Sequence, residues 1–402
     1  MVKNHGLIST ADKPRSSRKT VWIFAIASFL NDFGSDIIYP VWPLFLTTVL
    51  GANMAIVGLI DGIGDAVVSI MKAISGYWSD RIAKRKVFIW SGYIFGAASR
   101  IGYALSTTWH HILPFRILDR SGKIRSAPRD AMIADVSTQG NRALHFGMIR
   151  MMDNLGAVFG IITCILLIDT LGFRNLFMLA AIPSVIGAII IIVYIKERNA
   201  TEDQLFKRFT FKDLDANFKL FTASNAVFAL GAFSYSFLLI YAKKYVSSVQ
   251  FVPIYYLIFT AVASVSSIPM GKLADMMGRK FVLFISFGCW ALVSIIIIFF
   301  DSLAAMILMF VCYGLHKGAQ EPVQKAFVAE LSKERYRASS MGTFQMIIGL
   351  CALPSSLIAG ILWEGMSKYA PFYFSLMLTA LSIGLLLLVK EKHTSEYPRR
   401  SS

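Results

Sequence analysis

The chain has 402 residues, of which 56% are hydrophobic and only 16% are charged, and its mean hydropathy is +0.60. Soluble domains carry about 25% charged residues, so this composition excludes a water-soluble enzyme. The net charge of +16 would suggest nucleic-acid binding in a soluble protein, but in a membrane protein the positions of Lys and Arg matter more than their sum, and we expect no nucleic-acid partner. A membrane helix needs about 20 apolar residues, so the composition predicts an all-α integral membrane protein in the lipid bilayer.

The first predicted helix carries two acids at mid-membrane depth. Asp32 and Asp36 are one turn apart on one face, about 20 and 25 Å from the helix start at 1.5 Å per residue. Pro40 and Pro43 then predict a kink at the far end. Both acids are candidate proton-coupling groups, because a carboxylate at this depth can take up and release a proton. The alternative is a structural ion pair with Lys72 or with a base of the fourth helix.

The second predicted helix presents Asp61, Asp65 and Lys72 on one face. Asp61 and Asp65 can join the acids of the first helix around the outer cavity, and they are the other two candidate proton-coupling groups. Four carboxylates also make a divalent-cation site conceivable. No histidine or cysteine joins them, which argues against Zn²⁺ or Cu, and we assign no metal site and no cofactor.

An internal repeat sets the predicted number of helices. A fixed offset of 195 residues relates Gly76 to Gly271, Asp80 to Asp275, Asp135 to Glu330, Arg142 to Arg337 and Gly147 to Gly342. The repeat predicts two six-helix halves, residues 1–196 and 218–402, joined by a linker at 197–217. The charged stretch 109–135 overlays 304–330 under the same offset, so we predict that it is the fourth of twelve transmembrane helices.

The loop charges predict the orientation in the membrane. Most Lys and Arg residues fall in the segments on the side of the two termini, whereas the opposite side has only Arg174, Lys243, Lys244 and Lys368. Cytoplasmic loops carry an excess of Lys and Arg, so both termini and the linker are predicted to be cytoplasmic. We expect the cytoplasmic (inner) membrane of a bacterium.

The loop after the second helix has the pattern Gly-x-x-x-Asp-Arg-x-x-x-Arg-Lys, starting at Gly76, and a similar string starts at Gly271. With the two halves, this pattern resembles the major facilitator superfamily. The resemblance implies that the halves rock about a central site to give alternating access. It also implies a gate at the cytoplasmic face, made by Gly76, Asp80, Arg81, Arg85, Asp135, Arg142, Gly271, Asp275, Arg279, Glu330 and Arg337. The alternative is that these loop charges only set topology.

The fourth predicted helix is unusually charged. It resembles a sparsely characterised bacterial branch of the same superfamily in Arg116, Asp119, Arg120, Gly122, Lys123, Arg125, Pro128, Arg129 and Asp130. Five of these residues are bases and only two are acids. A base left without a partner would suit a carboxylate or phosphate on the cargo. A fully paired structural network is the alternative, in which Asp119 pairs with Lys123 or Arg116.

The charges inside the predicted helices lie almost entirely in the first half, which suggests that this half carries the coupling chemistry. The second half offers softer candidates in its first and fourth helices. The predicted cargo-binding residues are Arg116, Asp119, Arg120, Lys123, Arg150, Asp153, Tyr235, His316, Lys317, Gln320 and Glu321.

The fifth predicted helix contains Gly147, Gly156 and Gly160. Their spacing partly resembles the glycine signature of drug–proton antiporters, although Ile161 stands where that signature has proline. Close helix packing explains the glycines equally well. The pattern slightly favours export.

The sequence therefore predicts a monomeric proton-coupled secondary transporter of a small organic solute, anionic or zwitterionic, and not an enzyme. No Walker A string and no His-Glu-x-x-His motif occurs. Two alternatives stay open: a transporter of a divalent metal or metal chelate, and a non-transporting membrane sensor or enzyme.

Overall fold

The computed structural model describes residues 13–82, 84–137, 142–197, 215–246, 248–332 and 337–391. Every regular element in these ranges is helical. We call the helices before the predicted linker the N-half and those after it the C-half. The N-half contains α1 (Lys13–Ile38), α2 (Trp42–Leu44), a π-helical turn (Phe45–Val49), α3 (Met54–Ile82), α4 (Arg85–Leu105), α5 (Trp109–Ser121), a 3₁₀ turn (Gly122–Arg125), α6 (Ser126–Val136) and α7 (Arg142–Tyr194).

The C-half has the same kind of succession. Its elements are α8 (Ala216–Gly231), α9 (Tyr235–Ala242), two 3₁₀ turns (Lys243–Tyr245 and Val249–Phe251), α10 (Val252–Met277), α11 (Arg279–Phe299), α12 (Leu303–Leu331), α13 (Arg337–Gly365) and α14 (Ala370–Leu388). Within the described residues, nine helices are long and apolar enough to cross a membrane.

The longest of these helices, α7, is two limbs. Gly172 has a φ of +68°, outside the helical region, and glycine reaches this conformation without a steric cost. Gly160 in the first limb and Gly187 in the second both lie against α1, so the chain reverses between them. The charged segment 109–135 forms α5 and α6, which makes it helical as predicted, although its charges keep it out of the nine candidate spans. The count of twelve crossings stays a prediction.

Proline shapes the end of the first helix as the sequence predicts. The helix α1 ends at Ile38, and the short α2 begins after a break that contains Pro40. Proline lacks an N–H and cannot continue the hydrogen-bond ladder of the preceding turn. The break separates α1 from α2 and from the π-helical turn that follows.

The helix bundle has two ends, which we call the terminus face and the opposite face. The terminus face carries the start of α1 and the ends of α3, α6, α7, α12 and α14. The opposite face carries residues 39–53, 106–108, Gly172, 243–246, 248–251, 300–302 and 366–369. The halves meet closely near the opposite face, where α3 runs along α13. A Cβ on Gly58 of α3 would lie 2.0 Å from the Ser356 carbonyl oxygen, so backbone touches backbone there.

The glycines of α7 give a direct test of this packing. A Cβ on Gly160 would lie 2.4 Å from the Phe33 carbonyl oxygen of α1, whereas a Cβ on Gly147 in the same helix meets nothing within 4 Å. We expect Gly160→Val to lower the melting temperature of the purified protein by about 3–10 °C, because overpacking costs about 1–3 kcal/mol or more. The matched control Gly147→Val should leave it nearly unchanged. Equal melting temperatures for the two variants, measured in one detergent, would contradict the described α1–α7 contact.

Candidate functional site

A cavity of about 630 Å³ lies between the two halves. It is lined from the N-half by α1, α3, the 3₁₀ turn, α6 and α7, and from the C-half by α12 and α13. Lys72, Asp130, Arg150, Lys325 and Gly342 line it from the parts of their helices nearer the terminus face. A second cavity of about 640 Å³ shares six charged lining residues with the first, so the two adjoin. The size suits a small organic molecule.

Most charges that line the cavity are paired. Within the N-half, Arg125 lies 4.0 Å from Asp32, and Arg129 lies 3.0 Å from Asp130 and 3.9 Å from Asp153. The side chain of Asp32 is 27% exposed and also accepts a hydrogen bond of 2.9 Å from the Asn31 amide. Asp32 is thus the candidate coupling acid that the cavity reaches directly.

One ion pair of the cavity spans the two halves. Arg150 of α7 lies 3.9 Å from Glu321 of α12, and Glu321 also accepts a hydrogen bond of 2.7 Å from Lys325. Both members of the spanning pair are more than half exposed. The contact between halves on this side of the cavity is therefore a solvated one.

Beyond the cavity floor, tyrosines of both halves close the path towards the opposite face. The Tyr256 hydroxyl of α10 donates to the Asp36 carboxylate at 3.2 Å, and the Tyr235 hydroxyl donates to the Tyr39 carbonyl at 3.4 Å. Arg120 donates to the Tyr39 hydroxyl at 3.3 Å and lies over its ring. Asp36 is only 9% exposed, so it lies one helical turn deeper than Asp32 in a sealed layer.

The next layer is centred on the carboxylate of Asp61, which is 2% exposed. Its Oδ1 accepts from the Arg116 guanidinium at 2.7 Å and from the Trp42 indole at 3.0 Å. Its Oδ2 accepts from the Ser234 hydroxyl at 2.7 Å and from the Ser236 hydroxyl at 2.5 Å. The first two donors belong to the N-half and the last two to the C-half. We call these five residues the opposite-face latch.

The latch uses the full capacity of one carboxylate. An ionised carboxylate has about four lone-pair sites, and four donors occupy them here. Arg116 is itself 2% exposed, stacks on the Trp42 ring at 4.5 Å and has Asp61 as its ion-pair partner. Nearer the opposite face, the Met54 amide donates to Glu364 of the C-half at 2.7 Å. The described structure is therefore closed at the opposite face.

The pairing along α5 differs from the one that the sequence suggests. Asp119 pairs with its neighbour Arg120 at 3.7 Å and accepts from Ser99 at 3.5 Å, and among the described residues it forms no ion pair with Lys123 or Arg116. Arg116 is held by Asp61, and the 3₁₀ turn after Ser121 changes the direction of the residues that follow. Lys123 consequently lines the cavity.

The remaining candidate residues fall in different places. The four predicted coupling acids do not form one cluster, and the described residues contain no group of three His, Cys, Asp or Glu side chains that could hold a metal ion. Asp65 is exposed beside the Asp61 layer, and no hydrogen bond to its carboxylate is found among the described residues. Lys317 lines the second cavity. Gln320 lines neither cavity.

His316, one of the predicted cargo-binding residues, lies away from both cavities in this conformation. Its side chain is fully buried inside the C-half, where Nδ1 and the Ser286 hydroxyl lie 3.0 Å apart and the rings of Phe228 and Trp290 pack around it. It lines neither cavity, because the face of α12 that carries it packs against α11. His316 is a packing residue in this conformation.

The predicted gate residues give equivalent ion pairs in the two halves. Arg85 lies 2.5 Å from Asp135 in the N-half, and Arg279 pairs with Glu330 in the C-half. Gly271 has open space where a side chain would start, and no ion pair of Asp275 is found in the described part of the chain. Five other predicted gate residues cannot be compared in this way, because the surroundings of Gly76 and the side chains of Asp80, Arg81, Arg142 and Arg337 lie outside the described part.

Arg100 is a buried residue that the sequence reading missed. Its guanidinium, 2% exposed, donates to the Ala180 carbonyl (2.7 Å), the Ser184 hydroxyl (2.6 Å), the Asn31 carbonyl (3.3 Å) and the Ser35 hydroxyl (2.8 Å). It thereby ties α4 and α7 to the segment of α1 that carries Asp32 and Asp36. A single charge in the apolar run 87–107 was the available signal.

The chain matches a known family over nearly its whole length. The model of the Major Facilitator Superfamily matches residues 24–257 and 220–402. An uncharacterised MFS-type transporter of Methanocaldococcus jannaschii is 34% identical over 397 residues, which cover 96% of this chain and 98% of the relative. The inner membrane transport protein YajR of Escherichia coli is 27% identical over 176 residues, 42% of this chain and 37% of that protein.

Solved structures share the fold at low sequence identity. The nucleoside transporter NupG has a TM-score of 0.71 and 17% identity, covering 92% of this chain and 97% of that one. A bacterial homologue of the human lysosomal transporter Spinster, inward-facing and unoccupied, has a TM-score of 0.68 and 16% identity, covering 93% and 95%. These structures confirm the all-α membrane fold, and the family model and the Methanocaldococcus jannaschii relative confirm the resemblance to the superfamily.

The pairing of Asp61 with Arg116 predicts a strong energetic coupling. We expect Asp61→Asn to lower the free energy of unfolding by about 3–5 kcal/mol, because it leaves a buried guanidinium without a counter-charge. The double variant Asp61→Asn/Arg116→Met should cost less than the sum of the two single variants by about 1–3 kcal/mol. The exposed pair of Lys244 and Asp301, 2.9 Å apart, is the control and should give a much smaller coupling, because solvent screens exposed charges. Additive effects at Asp61 and Arg116 would contradict the buried pair.

Proposed function

Because this chain belongs to the major facilitator superfamily, we propose that it is a proton-coupled secondary transporter that moves a small anionic or zwitterionic organic solute by alternating access. Family membership makes it a membrane transporter rather than an enzyme. The cargo class, the coupling to protons and the direction of transport are the proposed part. We also propose that the terminus face is cytoplasmic, that the protein resides in a bacterial inner membrane and that it acts as a monomer.

The observation that carries the proposal is the asymmetry between the two faces. A cavity lined by both halves reaches towards the terminus face, and layers of contacts between the halves close the opposite face. An alternating-access carrier has one such state for each side of the membrane. With a cytoplasmic terminus face, this state is inward-facing, as the solved Spinster homologue is described to be.

The opposite-face latch supplies the element that changes between the states. When the opposite face opens, Ser234 and Ser236 must leave Asp61, while Arg116 and Trp42 stay with it because they belong to the same half. The buried charges therefore remain paired throughout the rocking motion. At the latch, only the hydrogen bonds of two neutral hydroxyls are broken, so it holds the closed state without trapping it.

Proton coupling is assigned to Asp32 and Asp36. Asp32 lines the cavity next to Arg125, so its protonation changes the charge that faces the cargo. Asp36 accepts from Tyr256 of the other half, so its protonation changes a contact between the halves. Asp61, named with them from the sequence, is assigned to the latch, and a role of Asp65 stays a prediction.

Export is the direction that the sequence slightly favours. The glycines that motivated it have a structural explanation, because Gly156 and Gly160 both lie directly against the backbone of α1. Direction therefore rests on experiment, in which proton movement and solute movement are recorded together.

Reconstituted vesicles test the proposed coupling. The purified protein is placed in proteoliposomes that contain a pH-sensitive dye, and a panel of organic acids, amino acids and sugars is added. We expect at least one solute to drive a proton flux in the wild type, and Asp32→Asn to reduce this flux at least ten-fold. The control Asp130→Asn removes a cavity acid that pairs with its neighbour Arg129, and it should retain the flux. Solute uptake without any proton movement would contradict proton coupling.

A further inference from the structure

The charges that line the first cavity do not balance. Six bases line it, namely Lys72, Lys123, Arg125, Arg129, Arg150 and Lys325, and four acids line it, namely Asp32, Asp130, Asp153 and Glu321. The excess is two positive charges. Arg125, Arg129, Arg150 and Lys325 each lie within 4.0 Å of an acid of this set.

The excess is located on two particular side chains. Lys72 of α3 and Lys123 of the 3₁₀ turn both line the cavity, and within the described residues neither ammonium group has an acid within ion-pair distance or a side-chain hydrogen bond. The lysines come from different elements of the N-half, and Ser69 lies one turn from Lys72 on the same wall. Two ammonium groups with free donors therefore face one space.

The wall across the cavity offers neutral hydrogen-bonding groups. Gln324 of α12 and Gln345 of α13 line it from the C-half, together with the ring of Phe344. Gln324 is fixed by its donation to Asn225 at 2.7 Å, and its carbonyl oxygen accepts no hydrogen bond from the described residues. Under the repeat offset of 195 residues, Gln345 of the C-half occupies the position of Arg150 of the N-half. The two halves therefore contribute different chemistry to the cavity at equivalent positions, a neutral amide and a guanidinium.

We infer that the cargo is a small dianion, such as a dicarboxylate or a phosphate compound, that binds between Lys72 and Lys123 and whose uncharged part is bound by Gln324 and Gln345. This inference rests on the proposed function, since it names the cargo class of the transport cavity. The cost of buried charge explains why the cargo is a dianion. When both faces are closed during rocking, two unpaired cations inside the bilayer raise the free energy of the protein, and a dianion neutralises them. The same cost of two unpaired cations disfavours closure of the empty carrier around its cavity.

Binding to the purified full-length protein tests the inference without transport. The melting temperature is measured with succinate, inorganic phosphate, acetate, glycine and putrescine, since a ligand that binds only the native state raises it by mass action. We expect succinate or inorganic phosphate to stabilise the wild type, and the other three to have no effect at equal concentration. Lys72→Gln and Lys123→Gln should each weaken dianion binding about ten-fold, the effect of one charge-assisted hydrogen bond.

Lys325→Gln is the matched control. It removes one positive charge from the same cavity, but its lysine is paired with Glu321. We expect this variant to bind the dianion as the wild type does. Equal weakening by Lys325→Gln would show a diffuse charge effect and would overturn the assignment to the two lysines.

Other outcomes separate this inference from the proposed function. Stabilisation by glycine, acetate or putrescine alone, or no stabilisation by either dianion, would overturn the dianion site, while a solute-driven proton flux in vesicles would still support transport. Conversely, dianion binding that depends on Lys72 and Lys123 supports the site even where no proton flux accompanies it. Unchanged melting temperatures of the ligand-free variants would show that the substitutions leave the fold intact.

Discussion

The buried carboxylate of Asp61 accepts hydrogen bonds from both halves of this protein. Asp61 lies within hydrogen-bond distance of four donor groups, and a carboxylate at this depth is stable only with a counter-charge beside it, which Arg116 supplies. This requirement explains why α5, although rich in charge, packs inside the bundle. It also explains why the Ser234 and Ser236 hydroxyls of the C-half can leave the latch: the ion pair of Asp61 and Arg116 stays whole within the N-half.

Rocking of two halves requires that each half is stiff, and the charges at the terminus face supply the stiffness. Glu197 accepts from the first backbone N–H groups of α4, and Glu391 does the same for α11, so the end of each half is fixed to the start of its third predicted helix. Lys86 donates to the Ile192 carbonyl and Lys280 to the Leu387 carbonyl, at 2.7 Å in both halves. These contacts lie within halves, whereas the spanning pair of Arg150 and Glu321 is solvated and long.

The sequence allows the fold to be predicted further than the site. The repeat identified 109–135 as helical despite its charge, because a pattern over many residues outweighs local hydropathy. The sequence could not predict which acid pairs with which base. Arg116 pairs with Asp61 because α5 lies close to α3 in the folded structure. Ser234 and Ser236 gave no signal, because serine is common in membrane helices. The sequence predicted His316 as a cargo-binding residue, and its burial inside the C-half is visible only in the structure.

The accessibility of the seam between the halves tests the central claim most directly. In a cysteine-free background, Met54→Cys places a thiol at a buried position near the opposite face, and its labelling rate by a membrane-impermeant maleimide is measured from that face. Removing both latch hydroxyls, Ser234→Ala/Ser236→Ala, should speed labelling at least about ten-fold, because it weakens the closed state. Ser224→Ala/Ser382→Ala removes a buried serine pair inside the C-half and should change nothing. Equal rates for the two pairs would contradict the latch.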